Sequence, residues 1–159
     1  MNTKLCLVLL AISVTLGCSR NLRLYPVQGQ LAAQSPSPVL IAKITGGLTS
    51  GVFSVVLSDG EVCKGRWAQV PTVRVAKGGT SATAPDTNGM SSVWDTVYGS
   101  GFYVSHVLGK KFYAQGSASG NHGTVVQMEM YMPEAEHSNN SEIKGVAKDT
   151  KDNIYKLVS

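Results

Sequence analysis

The feature that most limits what this chain can fold into is a two-residue hydrophobic period that returns in short bursts. From Thr124 to Met132, Val126, Met128, Met130 and Met132 fall on alternate positions against Gln127, Glu129 and Tyr131. Successive strand side chains point to opposite faces, so this order makes one buried and one wet face. Glu61 to Val70 repeats it, with Cys63, Gly65 and Trp67 on one face and Lys64 and Arg66 on the other. Phe102, Val104, His106 and Leu108 alternate likewise with Tyr103, Ser105 and Val107. Shorter apolar runs at Val39 to Thr45, Val52 to Ser58, Phe112 to Ser117, Ile143 to Lys148 and Ile154 to Val158 complete the set.

The punctuation between these runs is that of hairpins. Asp59-Gly60 fits a two-residue turn, Gly120-Asn121-His122-Gly123 a hairpin loop, and Asp149 to Asn153 a further turn. Ser91 to Tyr98 reads as one short helix, with Val93, Trp94 and Val97 on one side and Gly99 at its end. The predicted fold class is therefore all-β, a small antiparallel barrel or sandwich of about eight strands with one short helix. Glu61-Val62-Cys63-Lys64-Gly65 and Glu142-Ile143-Lys144-Gly145 are faintly alike, a hint of a duplicated meander. With 43% hydrophobic and 15% charged residues the chain can pack a core, and 159 residues make one domain.

Ahead of the β pattern stands a different segment. Residues 1–17 place Lys4 before the apolar run Leu5 to Leu16 and end in Gly17. As a helix this run reaches about 18 Å, short of a hydrocarbon core of about 30 Å, so a processed export signal is expected rather than a spanning helix. The junction Val14-Thr15-Leu16-Gly17-Cys18-Ser19 resembles the lipobox of bacterial lipoprotein precursors, with Thr15 where that family prefers Leu. The resemblance implies cleavage between Gly17 and Cys18, a diacylglycerol thioether on Cys18 and acylation of its new amine. Ser19, where an inner-membrane retention signal would be Asp, implies in a two-membrane bacterium the outer membrane, facing the periplasm. Ordinary signal-peptidase cleavage after Ser19 is the alternative, since Gly17 and Ser19 are also small-x-small. Asp59 to Trp67 resembles stretches of small uncharacterised bacterial lipoproteins, which implies no activity.

Residues 18–38, with Pro26, Pro36 and Pro38 among Gln, Ser and Ala, read as a tether, and residues 39–159 as a single β domain. Leu22, Leu24, Tyr25 and Val27 within the tether also suit an edge strand. Residues 77–92 are small, polar and aperiodic and read as a long flexible loop.

The chemistry-bearing residues are few. Of three cysteines, Cys6 is in the leader and Cys18 is the expected lipid attachment site, which leaves Cys63 alone and buried beside Trp67. His106 lies on the apolar face of its predicted strand, His122 in a turn and His137 in a polar loop, with no spacing that converges on a metal. A nucleophilic Cys63-His106 pair oriented by Asp95 can be written down, but the strand pattern buries Cys63. The methionine stripe at Met128, Met130 and Met132 is core filling. No phosphate loop, dinucleotide fingerprint, zinc helix or calcium loop occurs, so no metal and no cofactor is expected. The formal charge of +4 is spread over scattered bases, which disfavours a nucleic-acid surface.

The expected function is thus that of a lipid-anchored envelope protein with a non-catalytic binding or scaffolding β domain. Its partners are the membrane, through the N-terminal lipid, and an envelope protein or apolar ligand. The alternatives are a periplasmic carrier with an apolar ligand inside a barrel lined by Trp67, Phe102, Val126 and the methionines, or an envelope hydrolase using His106 or Cys63.

Overall fold

The computed structural model describes residues 18–71, 89–108, 110, 113–133 and 142–159. Eight strands follow one another: β1 (Cys18–Gln28), β2 (Leu40–Gly46), β3 (Ser50–Val56), β4 (Val62–Gln69), β5 (Tyr113–Gly120), β6 (Val125–Tyr131), β7 (Lys144–Asp149) and β8 (Ile154–Val158). Each pairs antiparallel with the next and β1 pairs with β8, so the sheet closes into a barrel with no free edge. All eight strands of the barrel lie in the chain from Cys18 onward.

The two-residue period decides which side chains fill it. Leu22 and Leu24 of β1, Phe53 and Val55 of β3, Val126, Met128 and Met130 of β6, and Tyr155 and Leu157 of β8 all point inward and are buried. An eight-stranded barrel has an interior just wide enough for side chains to fill. Glycine adjusts the fit: a Cβ on Gly116 would press on Met128 Cε and Trp67 Cβ, and one on Gly65 would collide with the backbone of Ser117. Trp67 and Met128 occupy the room left at Gly116, and at Gly65 the neighbouring strand itself comes close.

Two expectations are corrected. The tether over 18–38 is instead β1 up to Gln28, paired on both sides, so the barrel begins at Cys18 rather than at residue 39. Pro26, which has no N–H to give, lies beyond the last β1–β2 pair, Leu24–Leu40, and beside the β1–β8 register shift, both settings in which a strand tolerates proline. The strand predicted from Phe102 to Leu108 is a π-helical turn, Tyr103–Val107, standing outside the barrel. Nearly every residue there is apolar or aromatic, so the alternation was indistinct, and the i, i+4 pair Phe102 and His106 stacks with centroids 4.4 Å apart. The predicted helix is α1 (Met90–Tyr98). Of the loop expected over 77–92, residues 77–88 lie outside the described residues, and 90–92 open α1.

α1 and the π-helical turn cover one wall only. Met90, Val93, Trp94 and Val107 pack on the outward residues Tyr131 of β6 and Val146 of β7 and form a second core. Glu129 and Tyr131 are therefore buried although they face out of the barrel.

Candidate functional site

One end of the barrel is closed by three turns of the same build. Leu57 N–H donates to Glu61, Gly120 N–H to Thr124 and Asp149 N–H to Asn153, each spanning a three-residue loop. The third loop residue is left-handed in every case: Gly60 at φ 83°, Gly123 at φ 89° and Asp152 at φ 62°. The residue that follows each is polar and buried, namely Glu61, Thr124 and Asn153. The Glu61 carboxylate accepts the Thr124 hydroxyl and the backbone N–H groups of His122 (2.8 Å) and Thr124 (3.3 Å). These bonds, the hydroxyl's foremost, hold its pKa below the ordinary 4.5. Asp149 accepts from Asn153 Nδ2 and from the Tyr155 hydroxyl at 2.6 Å, and Asn153 Oδ1 accepts the N–H of Leu31 at 3.1 Å. Leu31 thereby closes the end from the β1–β2 connection. Outside it, Lys151 Nζ lies 2.6 Å from Asp59.

Among the described residues no buried side-chain polar atom lacks a partner and no group of His, Cys, Asp and Glu could hold a metal. The polar end is thus a closed structural network. Glu61 shares its inward parity with Cys63 and Trp67, and that was the sequence signal for a buried carboxylate.

The opposite end is open. Its recess of 270 Å³ is lined by Ile44, Leu48, Trp67, Met130, Met132 and Ile143, with Arg20 at the rim. Cys18 is at this end, as its pairing with Gly46 at the start of the β2–β3 hairpin fixes. A wider cleft of 630 Å³ runs between Arg66, Pro71, Met90 and Glu129. It lies beside the two ends of residues 72–88, outside the described residues.

The residues singled out for chemistry are not brought together. Cys63 lies inside the barrel with its thiol 3.9 Å from the Thr124 carbonyl oxygen, and burial pushes its pKa up. His106, expected on an apolar face, is exposed on the π-helical turn. Asp95 accepts the N–H groups of Gly101 (3.0 Å) and Tyr103 (3.2 Å), which ties the turn to α1 rather than orienting a histidine. His122 sits in the β5–β6 turn, and Gly17 and His137 lie outside the described residues. Phe102, expected in the barrel lining, stacks outside it between Tyr98 and His106. Met128 and Met130 are interior core, as the stripe implied.

On the covered wall, Trp94 Nε1 donates to Glu129 Oε2 at 2.8 Å and Gln115 Nε2 to Glu129 Oε1 at 2.9 Å. Gln115 Nε2 also donates to the Tyr113 hydroxyl, whose pKa is driven up by burial and then by the Glu129 charge. The Trp94–Glu129 bond fastens α1 to the sheet.

The wall of β1 to β4 is different. Its outward positions carry Arg23, Lys43, Lys64 and Arg66 with Ile41, Val52, Val56 and Val62, and all are exposed. A shallow groove of 460 Å³ crosses it past Val39, Ile41, Lys43, Val56, Val62 and Lys64. A membrane-spanning barrel puts apolar side chains outward and polar ones inward on strands of about 9–11 residues. The order here is the reverse, with an apolar interior and bases outside. Among the described residues no helix is long and apolar enough to cross a membrane.

Fold and surface together define a small closed antiparallel β-barrel whose outward side chains on β1 to β4 are exposed, cationic and aliphatic. No protein-family model, curated protein or solved structure matches the chain.

Proposed function

We propose that the protein is an envelope lipoprotein anchored through lipid on Cys18, whose barrel is a non-catalytic binding module. The anchor is supported by the junction Val14 to Ser19 after the apolar run Leu5 to Leu16. The binding role is supported by one observation above the others: the interior is filled, and the bare wall of β1 to β4 leaves exposed aliphatic side chains such as Val56 at 52% and Ile41 at 49%. Scattered apolar residues are normal on a surface, but a contiguous set is where partners bind. Metabolic labelling with palmitate tests the anchor. The wild type is expected to take up label and Cys18→Ser to lose it, and an unlabelled wild type refutes the lipidated form.

A carrier role is the second reading, and the apolar mouth favours it. The recess of 270 Å³ lies just below the range of about 300–1,000 Å³ usual for small-molecule sites, enough for the end of an acyl chain rather than a whole lipid. Trp67 lines it, so titration with a long-chain fatty acid should change tryptophan fluorescence if the recess is used. No change across saturating ligand would remove the reading.

A further inference from the structure

We infer that the outer wall of β1 to β4 docks on the headgroup layer of an anionic bilayer. The charge pattern carries the argument. Strands β1 to β5 contain no Asp or Glu, and the acids of the described residues lie in turns, in α1, or on β6, β7 and their connections. Strand register sets the outward bases in rows. Lys43 of β2 is opposite Ser54 of β3, which is opposite Lys64 of β4. In the next row Arg66 is opposite Val52, and at the other flank Arg23 is opposite Ile41 and Val56 opposite Val62. None of Arg23, Lys43, Lys64 and Arg66 takes part in an ion pair among the described residues.

Such a face attracts an anionic surface, and its composition chooses among such surfaces. A nucleic acid is held by bases interleaved with aromatic platforms, whereas the side chains between these bases are aliphatic. Ile41, Val56 and Val62 beside lysines match the boundary between headgroups and acyl chains: the ammonium and guanidinium groups meet phosphate while the aliphatic groups enter below it. Among the described residues no element packs on this wall, whereas α1 and the π-helical turn occupy the wall of β6 and β7. The inference deepens the binding role proposed above and agrees with the anchor. Ser19 already pairs with Thr45, so a lipid on Cys18 leaves no length of chain to hold the barrel away from the surface. The acyl chains on Cys18 would hold the protein at the bilayer by themselves, and the basic face would set how the barrel lies on it.

The test uses the chain from residue 18 with Cys18→Ser, which has the whole barrel and no lipid, so the result is independent of the anchor. It is sedimented with vesicles of equal parts phosphatidylglycerol and phosphatidylcholine, and with phosphatidylcholine alone. Binding to the anionic vesicles only is expected, and it should vanish near 1 M salt, where the Debye length is about 3 Å. A base near an anionic surface is worth a factor of about five in partition, so the double reversal Lys43→Glu/Lys64→Glu should lower it by well over about twentyfold. Ile41→Ser/Val56→Ser should lower it several-fold at unchanged charge, and Lys144→Glu on β7 should leave it as it was. All these positions face outward, and an unchanged thermal melt confirms the barrel. Equal partition to both vesicles, or a double reversal that binds like the parent, overturns the inference. So does tighter binding to a duplex DNA oligomer that ignores Ile41→Ser/Val56→Ser. Failure here with positive palmitate labelling removes the docking face and keeps the anchor. The converse result keeps the face and removes the anchor.

Discussion

Tyr155 offers the sharpest test of how the closed end of the barrel is held. Its ring is fully buried, and its hydroxyl donates to Asp149 Oδ2 at 2.6 Å. Tyr155→Phe keeps the ring and its packing, so the change removes one hydrogen bond to a carboxylate and leaves no cavity of note. Such bonds contribute about 1.5–3 kcal/mol. The carboxylate keeps other donors: Lys151 N–H at 2.8 Å, Asn153 N–H at 3.0 Å, and Asn153 Nδ2, which is 3.0 Å from the same oxygen the tyrosine uses. Asp149 is therefore not orphaned, and the loss should fall in the lower part of the range, about 2 kcal/mol. For a domain of this size that lowers Tm by roughly 6 °C. Urea unfolding of the lipid-free chain should show a lower midpoint at unchanged slope, since the surface exposed on unfolding is the same. A loss under about 0.5 kcal/mol would refute the reasoning, because it would mean the three-turn closure does not depend on its deepest hydrogen bond.

Other outcomes follow from the same geometry. Trp94→Ala removes a fully buried ring that stacks with Tyr98 and donates to Glu129, and it should cost about 3–5 kcal/mol. Hydrogen exchange should place the first loosening in α1 while β1 to β4 stay protected, and uniform loosening of all strands would contradict a separate outer core. Cys63 should resist a thiol reagent such as Ellman's in the folded state and react fully in denaturant, since its thiol is buried and its pKa raised; rapid reaction of the native protein would place it elsewhere. Tyr98, Tyr113 and Tyr155 all have pKa values raised above the ordinary 10.0, with burial the largest cause. A folded value above the unfolded one gives stability that is complete below about pH 10 and lost as pH climbs beyond it. Tyrosinate absorbance from these residues should therefore rise together with loss of the β circular dichroism signal, and ionisation inside an intact barrel near pH 10 would count against it.

The period-two pattern made β2 to β8 legible wherever it alternated cleanly against polar residues, as Lys64 and Arg66 do on β4. It failed in two places for opposite reasons. In β1 the alternation is present, with Leu22 and Leu24 inward and Arg23 outward, but the prolines downstream favour a tether and leave the strand as the second reading of the segment. Between Phe102 and Val107 there was too little polarity to mark a period, so strand and helix templates fitted alike. The closed end was half legible. Cys63 was placed inside by parity, yet the same parity also carries Glu61 inward, and a buried carboxylate is accepted only once Thr124 and His122 are known to face it. Partners from a turn sixty residues away in sequence cannot be read from spacing. The bare wall was hidden in the same way: bases scattered along the chain become rows only through the register of β2, β3 and β4.

The two ends of the barrel bear on how the protein would sit at a surface. Glu61, Thr124 and Asn153 occupy equivalent places after three left-handed turn residues, and together with Leu31 they seal one end with a satisfied polar network. Cys18 lies at the other end, where Ile44, Trp67 and Met130 line an open recess. In the proposed lipidated form the open mouth is therefore held beside the bilayer. Lying on the wall of β1 to β4 is compatible with this, because β1 carries the anchor at one edge of that wall. An apolar ligand in the mouth would then pass between barrel and bilayer without crossing water, whereas a tethered barrel free to tumble would have to take it from solution. Binding measured with the ligand in vesicles of phosphatidylcholine alone, on which the lipid-free wall is not expected to dock, should accordingly exceed binding of the same free ligand only in the lipidated protein, and equal uptake by the Cys18→Ser chain would separate the recess from the anchor.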